Sequence, residues 1–264
     1  MNLSKGVTQT SQSAYDLHMI ALWICVVIGL IVFGLMIVAM FRFRKSKGAV
    51  PATWSHNNLA EVLLTVVPAL ILAGMAWPAT KVMLNSADTS KSELTIKITG
   101  YQWKWRYEYV GTPVNFLSSL KRDSDQIRRL NSGLDPKSVE HYLLDVDHPL
   151  VIPADTKVRF LLTAGDVIHS WWVPDLGWKQ DAIPGLINDN WTRVSKPGIY
   201  RGQCAELCGK DHGFMPVVVE VKPKAEFDAW LKQKTLAATP APARSDAPIA
   251  AATADPVATT ATLN

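Results

Sequence analysis

The sequence predicts a two-helix transmembrane hairpin followed by an all-β Greek-key sandwich, and three observations carry that expectation. Residues 19–41 and 62–80 are runs of 23 and 19 residues without a formal charge. Each approaches the roughly 20 residues that an α-helix, rising about 1.5 Å per residue, needs to cross a bilayer core. Beyond residue 84 the chain breaks into short alternating stretches punctuated by Gly and Pro, with no sustained helical period, which is the pattern of many short strands. Strands that do not alternate with helices favour a sandwich over an α/β fold. A core helix in a soluble protein is the other reading of either apolar run.

From the amino terminus, residues 1–16 form a polar segment expected outside the membrane, and 17–84 form the hairpin, with helices at about 17–41 and 59–84. The first span has no basic leader and no small-residue cleavage site, so it reads as an uncleaved anchor. Arg42, Arg44, Lys45 and Lys47 lie between the spans. A short basic loop stays on the cytoplasmic side, which places both termini outside. The other 23 of the 27 basic residues equal the 23 acidic ones, so the net charge of +4 belongs to that loop. It speaks for membrane topology and against nucleic-acid binding. Trp54 and Trp77 suit interfacial positions near the two ends of the second span, which Pro68, Gly74 and Pro78 would bend. Cys25 reads as a small apolar side chain buried in the first span. Glu61 sits within a turn of the second helix start, either as a solvated acid or as a functional membrane-edge carboxylate.

Residues 85–235 are expected to form the β domain. Ile96 and Ile98 occupy even positions, whereas Tyr101, Trp103, Trp105, Tyr107 and Tyr109 occupy odd ones; the parity change predicts a bulge or bend at Gly100. Further strands are expected at 140–145, 156–163, 192–194, 198–202 and 217–221. Residues 115–138 are polar and charge-rich, a surface excursion, and 224–236 reads as a short amphipathic helix. From 236 to 264 Ala, Pro and Thr dominate, predicting a disordered tail with no core to bury.

The chemistry concentrates in residues 204–215, where Cys204, Glu206, Cys208, His212 and Met215 share one twelve-residue loop. Thiolate, thioether and imidazole together select copper, whereas a tetrahedral zinc site has little use for methionine. A single-copper loop needs one cysteine. Two thiolates four positions apart can each bridge two metals, leaving one histidine and one weak ligand to complete each. His169, in the segment 166–171, is the natural second histidine. A disulfide between Cys204 and Cys208 is the rival in an oxidising compartment, although it would need neither His212 nor Met215.

These motifs resemble subunit II of haem-copper cytochrome c oxidases, the subunit with the binuclear Cu-A centre. The resemblance spans nearly the whole chain: the helix pair, the aromatic run 101–109, the segment His169-Ser-Trp171-Trp-Val-Pro174, the run Asp181-Ala-Ile-Pro-Gly185 and the ligand loop. It implies a cupredoxin-like sandwich in which His169, Cys204, Cys208, His212 and Met215 bind two copper ions with the main-chain carbonyl of Glu206. It also implies that the Glu206 carboxylate holds a Mg ion shared with subunit I, and that Asp181 lies at that interface. Trp103 would be where the electron of cytochrome c enters, and Glu61 where protons enter a channel into subunit I.

The implied activity is that of an oxidase subunit passing electrons to haem in subunit I for oxygen reduction coupled to proton pumping. Its partners would be subunits I and III and a basic cytochrome c steered by acids, for which Glu108, Asp147 and Asp166 are the candidates. The implied setting is the bacterial inner membrane with the copper domain in the periplasm, and the mitochondrial inner membrane as second choice. A quinol-oxidising relative would lack the ligands; a copper-delivery or thiol-redox protein of the same compartment is the alternative.

Overall fold

The structure is a computed structural model that describes residues 2–238; the tail expected from 236 onward lies, from 239, outside the described residues. Both apolar runs are helical. α1 spans Gln9–Arg42 and α2 spans Asn58–Ala87, joined by a basic turn through Lys45–Lys47 that ends on Gly48. Their apolar side chains face outward all round, with Leu30 71 % and Leu72 67 % exposed in this single chain. Such surfaces need lipid or neighbouring helices, since in a bilayer only the backbone must be satisfied internally. Cys25, expected to be buried, is among the exposed residues of α1.

α1 starts at Gln9, earlier than the expected 17, because a cap fixes it there. Thr8 Oγ1 accepts from Ser11 N at 3.0 Å while Thr8 N donates to Ser11 Oγ, a reciprocal capping box. The same hydroxyl donates to Leu176 O at 2.8 Å, and Val7 N donates to Asp175 O at 2.9 Å. Gly177, at φ +81°, follows; a Cβ there would stand 2.4 Å from Ser11 Cα. The 34 residues of α1 span about 51 Å, well beyond a bilayer core of about 30 Å. Its first turns therefore belong to the β domain.

That domain is two five-stranded sheets face to face, the cupredoxin-like arrangement. One sheet runs β3 (Asn115–Ser118), β2 (Lys104–Tyr109), β1 (Leu94–Tyr101), β5 (Val158–Ala164) and β8 (Asn188–Thr192); the other runs β4 (Leu150–Pro153), β10 (Pro216–Lys222), β9 (Gly198–Cys204), β6 (His169–Val173) and β7 (Trp178–Ala182). Inward residues alternate, as in Val158, Phe160, Leu162 and Ala164 on β5. Trp171 stacks on Trp178 with centroids 5.1 Å apart, and Tyr109 donates to Val151 O at 2.7 Å. At one edge α4 (Lys224–Ala238) buries Phe227 and sets Trp230 against Tyr109.

Three expectations are corrected. Gly100 carries no bulge: β1 continues to Tyr101 and pairs Ile98 with Tyr107 and Gly100 with Trp105. The parity change arises because Gln102 and Trp103 form a two-residue hairpin turn, which opposes even to odd positions. Residues 140–145 are turns, with His141 and Leu143 at positive φ, not a strand. The excursion 115–138 contributes β3 to the first sheet and a short helix, α3 (Arg122–Ile127), with Ser124 and Ile127 buried.

Losing a threonine cap costs about 1–2 kcal/mol. Thr8→Ala is therefore expected to lower the thermal midpoint of the full chain in detergent by about 2–8 °C, with Thr8→Ser retaining most of it. An unchanged midpoint for Thr8→Ala would show that the tether adds no stability.

Candidate metal centre

β6 and β9 are paired, Trp171 opposite Cys204, and this register brings the first two candidate ligands, His169 and Cys204, to the same end of the sheet. His169 opens β6 and is fully buried; Cys204 closes β9 and is 4 % exposed. The chain then loops out through exposed Glu206 and Leu207, returns inward at buried Cys208, and makes a 3-10 turn at His212–Phe214 before buried Met215 leads into β10.

The donor atoms converge. Cys204 Sγ lies 3.9 Å from Cys208 Sγ, 4.0 Å from His169 Nδ1 and 3.4 Å from the carbonyl oxygen of Glu206. Cys208 Sγ lies 3.5 Å from His212 Nδ1 and 3.5 Å from Met215 Sδ. Two ligands held at about 2.0–2.3 Å from one metal at tetrahedral angles stand about 3.3–3.8 Å apart. The contacts of 3.4–3.5 Å fit that spacing, and the Cys204–Cys208 and Cys204–His169 separations of 3.9 and 4.0 Å stand just beyond it. The two thiols are free, and bonded sulfurs would be only about 2.05 Å apart.

Electrostatics favour a cation here. Burial opposes ionisation of Cys204, yet the His169 imidazole and backbone hydrogen bonds at Ser170 and Glu206 outweigh it and hold the thiol down at about 7. Cys208 is pushed up to about 12 by burial and by the charge of Cys204 beside it. One proton leaves this pair readily and the second resists, because two anions 3.9 Å apart cannot share a dry site. A metal ion supplies the charge that releases it.

The surroundings orient the ligands. His169 Nε2 is 2.9 Å from Asp166 Oδ1; with its proton there, Nδ1 presents a lone pair toward Cys204. Asp166 also accepts from Val167 N and Gln102 N, each at 2.7 Å. The imidazole lies against Gly100, where a Cβ would meet Cδ2 at 2.8 Å, and the Trp105 and His169 rings meet edge to face with centroids 5.8 Å apart. The Cys208 carbonyl accepts from Gln102 Nε2 at 2.9 Å and from Trp103 Nε1 at 3.2 Å. The hairpin turn thus grips the ligand loop.

Trp103 is half-buried directly over that loop. Of the three acids expected to dock a partner, Asp166 is beside Trp103 through Gln102 N and is engaged with His169. Glu108 is five residues along β2, about 16 Å away, ion-paired with Lys97 and Arg106. Asp147 bonds Ser119 N and faces His148. Asp181 sits on β7 opposite Ser170. Glu61 lies apart from this centre in the first turn of α2, 3.5 Å from His56 Nδ1. Gly100, Gln102 and the orienting role of Asp166 escaped sequence reasoning; the acid three residues before His169 was the available signal.

A membrane-anchored cupredoxin-like domain with a thiolate, imidazole and thioether pocket able to hold metal is the class that fold and site define. Family profiles agree: "Cytochrome C oxidase subunit II, periplasmic domain" matches residues 94–222 and "Cytochrome C oxidase subunit II, transmembrane domain" matches residues 1–82. The chain belongs to the cytochrome c oxidase subunit II family, which makes it a component of an oxidoreductase complex. It is 45 % identical over 223 residues to a probable cytochrome c oxidase subunit 2 of Rickettsia felis, covering 84 % of this chain and 68 % of that one. It is 35 % identical to cytochrome c oxidase subunit 2 of Cereibacter sphaeroides, covering 84 % and 77 %. Among solved structures, the periplasmic domain of subunit II of cytochrome oxidase (CoxB) of Bradyrhizobium japonicum aligns at a TM-score of 0.50 and 37 % identity, covering 58 % of this chain and all of that one.

Removing an acid that orients a ligating imidazole costs about 10–100-fold in metal affinity. Asp166→Ala is expected to show that loss in chelator competition on the full chain, and undiminished affinity would return Asp166 to a purely surface role.

Proposed function

We propose that the chain accepts electrons singly from a c-type cytochrome at a binuclear copper centre and passes them to haem in subunit I, where oxygen is reduced and protons are pumped. The observation that carries this reading is the convergence of two imidazoles, a thioether and a carbonyl on two neighbouring thiols, each 3.4–4.0 Å from a cysteine sulfur. His169, Cys204, Glu206 through its carbonyl, Cys208, His212 and Met215 hold the metals. Copper held there would supply one-electron transfer, and a rigid set of soft donors would keep that transfer fast at small driving force.

The protein's part is rigidity. Cys204 is locked by the β6–β9 ladder, His169 by its pairing with Ala182 on β7, Cys208 by the donors of Gln102 and Trp103, and the imidazole by Asp166 and Gly100. Burial keeps water from the sulfurs. Trp103 is the electron's point of arrival: its indole N–H bonds the carbonyl of a ligand residue, which joins the ring to the centre through one hydrogen bond. Glu61, 62 % exposed in its side chain at the head of α2, is the candidate for proton uptake. The carboxylate of exposed Glu206 suits a hard Mg ion shared with subunit I, and Asp181 lies toward the same boundary. Glu108, Asp147 and Asp166 remain candidates for steering the cytochrome.

The basic turn between the helices supports a transmembrane hairpin whose connecting turn is cytoplasmic and a periplasmic domain in a bacterial inner membrane, with subunits I and III covering the exposed helices. A copper-delivery or thiol-redox role has the two free thiols in its favour; it gives Met215 and the Glu206 carbonyl nothing to do.

The oxidised full chain is expected to bind two coppers and give a seven-line hyperfine pattern; one copper per chain with four lines would overturn the reading. Trp103→Phe is expected to keep both coppers while slowing electron uptake from cytochrome c about tenfold or more, a barrier rise of about 1.4 kcal/mol. An unchanged rate would take Trp103 off the path.

A further inference from the structure

The inner half of the ligand loop is held by the sandwich, through Ala205 N to Ser170 O at 2.9 Å and through the hairpin donors on Cys208. The outer half has fewer such ties: Gly209 lies close to Gln102 and Trp103, and Trp105 Nε1 donates to Met215 O at 3.4 Å. Gly209, Lys210 and Gly213 are exposed, and a Cβ on Gly213 would touch nothing within 4 Å. Yet this half carries His212 and leads to Met215. Within it the backbone closes only two short turns, His212 N to Gly209 O at 3.2 Å and Phe214 N to Asp211 O at 2.9 Å.

A residue 83 positions earlier reaches it. Arg128, just past α3, sends Nη1 to Asp211 Oδ1 at 3.2 Å and Nη2 to Asp211 Oδ2 at 3.5 Å. Its Cζ lies 4.4 Å from the centroid of the Phe214 ring. Its Nε is braced by Asp125 Oδ1 at 2.8 Å. The two residues it holds straddle His212, one just before it and one just before Met215. The side chains of Arg128 and Asp211 are only 24 % and 18 % exposed, so the two-pronged pair is partly screened from solvent and stronger than a surface ion pair. α3 is itself anchored: Ile127 is buried, and the buried Ser124 hydroxyl accepts from Leu143 N at 3.2 Å.

We propose that Arg128 is a positioning residue of the metal centre, clamping the outer half of the ligand loop through Asp211 and Phe214 so that His212 and Met215 keep their places beside Cys208. The proposal rests on the reading of the six donors as a copper centre. A planar guanidinium is suited to the task because one group grips a carboxylate with its fork and a ring with its face, which a lysine ammonium cannot do. Arg129 provides the contrast: it pairs with the same Asp125 at 2.9 Å and is 71 % exposed in its side chain.

The test uses the full chain in detergent, loaded with copper. Arg128→Gln and Asp211→Asn are each expected to load both coppers, to lose them to a chelator about tenfold faster, and to shift the copper hyperfine pattern. The double variant is expected to behave like either single one, Arg128→Lys to recover only part of the loss, and Arg129→Gln to match the parent. Parent-like release and spectra in Arg128→Gln and Asp211→Asn would overturn the clamp. So would additive effects in the double variant, or an equal effect from Arg129→Gln, which would assign the change to α3 as a whole. Should Arg128→Gln fail to fold, Asp211→Asn against the parent decides alone. A parent chain that binds no copper would sink the copper reading instead and is a separate outcome.

Discussion

The pairing of β6 with β9 is the constraint from which the centre follows. It places Trp171 opposite Cys204, so the imidazole that opens one strand and the thiol that closes the other meet at the same end of the sandwich. Residues 35 positions apart in sequence thereby come within 4.0 Å, held by the β6–β9 and β6–β7 ladders, whose geometry tolerates little change. The loop from Cys204 to Met215 starts and finishes on adjacent strands, β9 and β10, and has to turn inward. Its second thiol, second imidazole and thioether come with it.

Desolvation gives that geometry its chemical direction. A buried dithiol keeps one proton and holds it strongly, as the opposed shifts of Cys204 and Cys208 require. The pocket is therefore an incomplete electrostatic unit that a cation completes. Asp166 bonds the imidazole and Gly100 leaves room for it. Trp103 and Gln102 act on the Cys208 backbone from above. Most of these groups come from the β1–β2 hairpin and the β5–β6 turn, so the first sheet aligns ligands carried by the second.

The membrane hairpin is not a loose tether. The cap of α1 is made against the turn at 174–177. At the far end of α2, Lys157 Nζ donates to Asp88 O and Ser90 O at 2.7 and 2.8 Å, while Thr89 donates to Asp189. Both helices are thereby tied to the sandwich at its membrane end. The proposed electron relay would need such ties, because transfer depends on a fixed distance.

The sequence by itself determined what rests on local chemistry. Two charge-free runs long enough for a bilayer, the basic turn between them and the set of donor types in 204–215 were all legible, because length, charge and ligand softness are properties of residues as such. Strands were legible where apolar and β-branched residues alternate or cluster, as in 156–163 and 217–221. They were missed where strands carry few alternating cues, as in β4, β6 and β7. The tertiary structure alone decided which residues hold the ligands in place. That Gly100 makes room for an imidazole 69 positions later, that Asp166 orients a histidine rather than simply facing a partner, and that an excursion read as surface sends Arg128 back onto the loop are facts of packing. They depend on strand register and burial, which bring distant residues within 3 or 4 Å and which no spacing along the chain encodes.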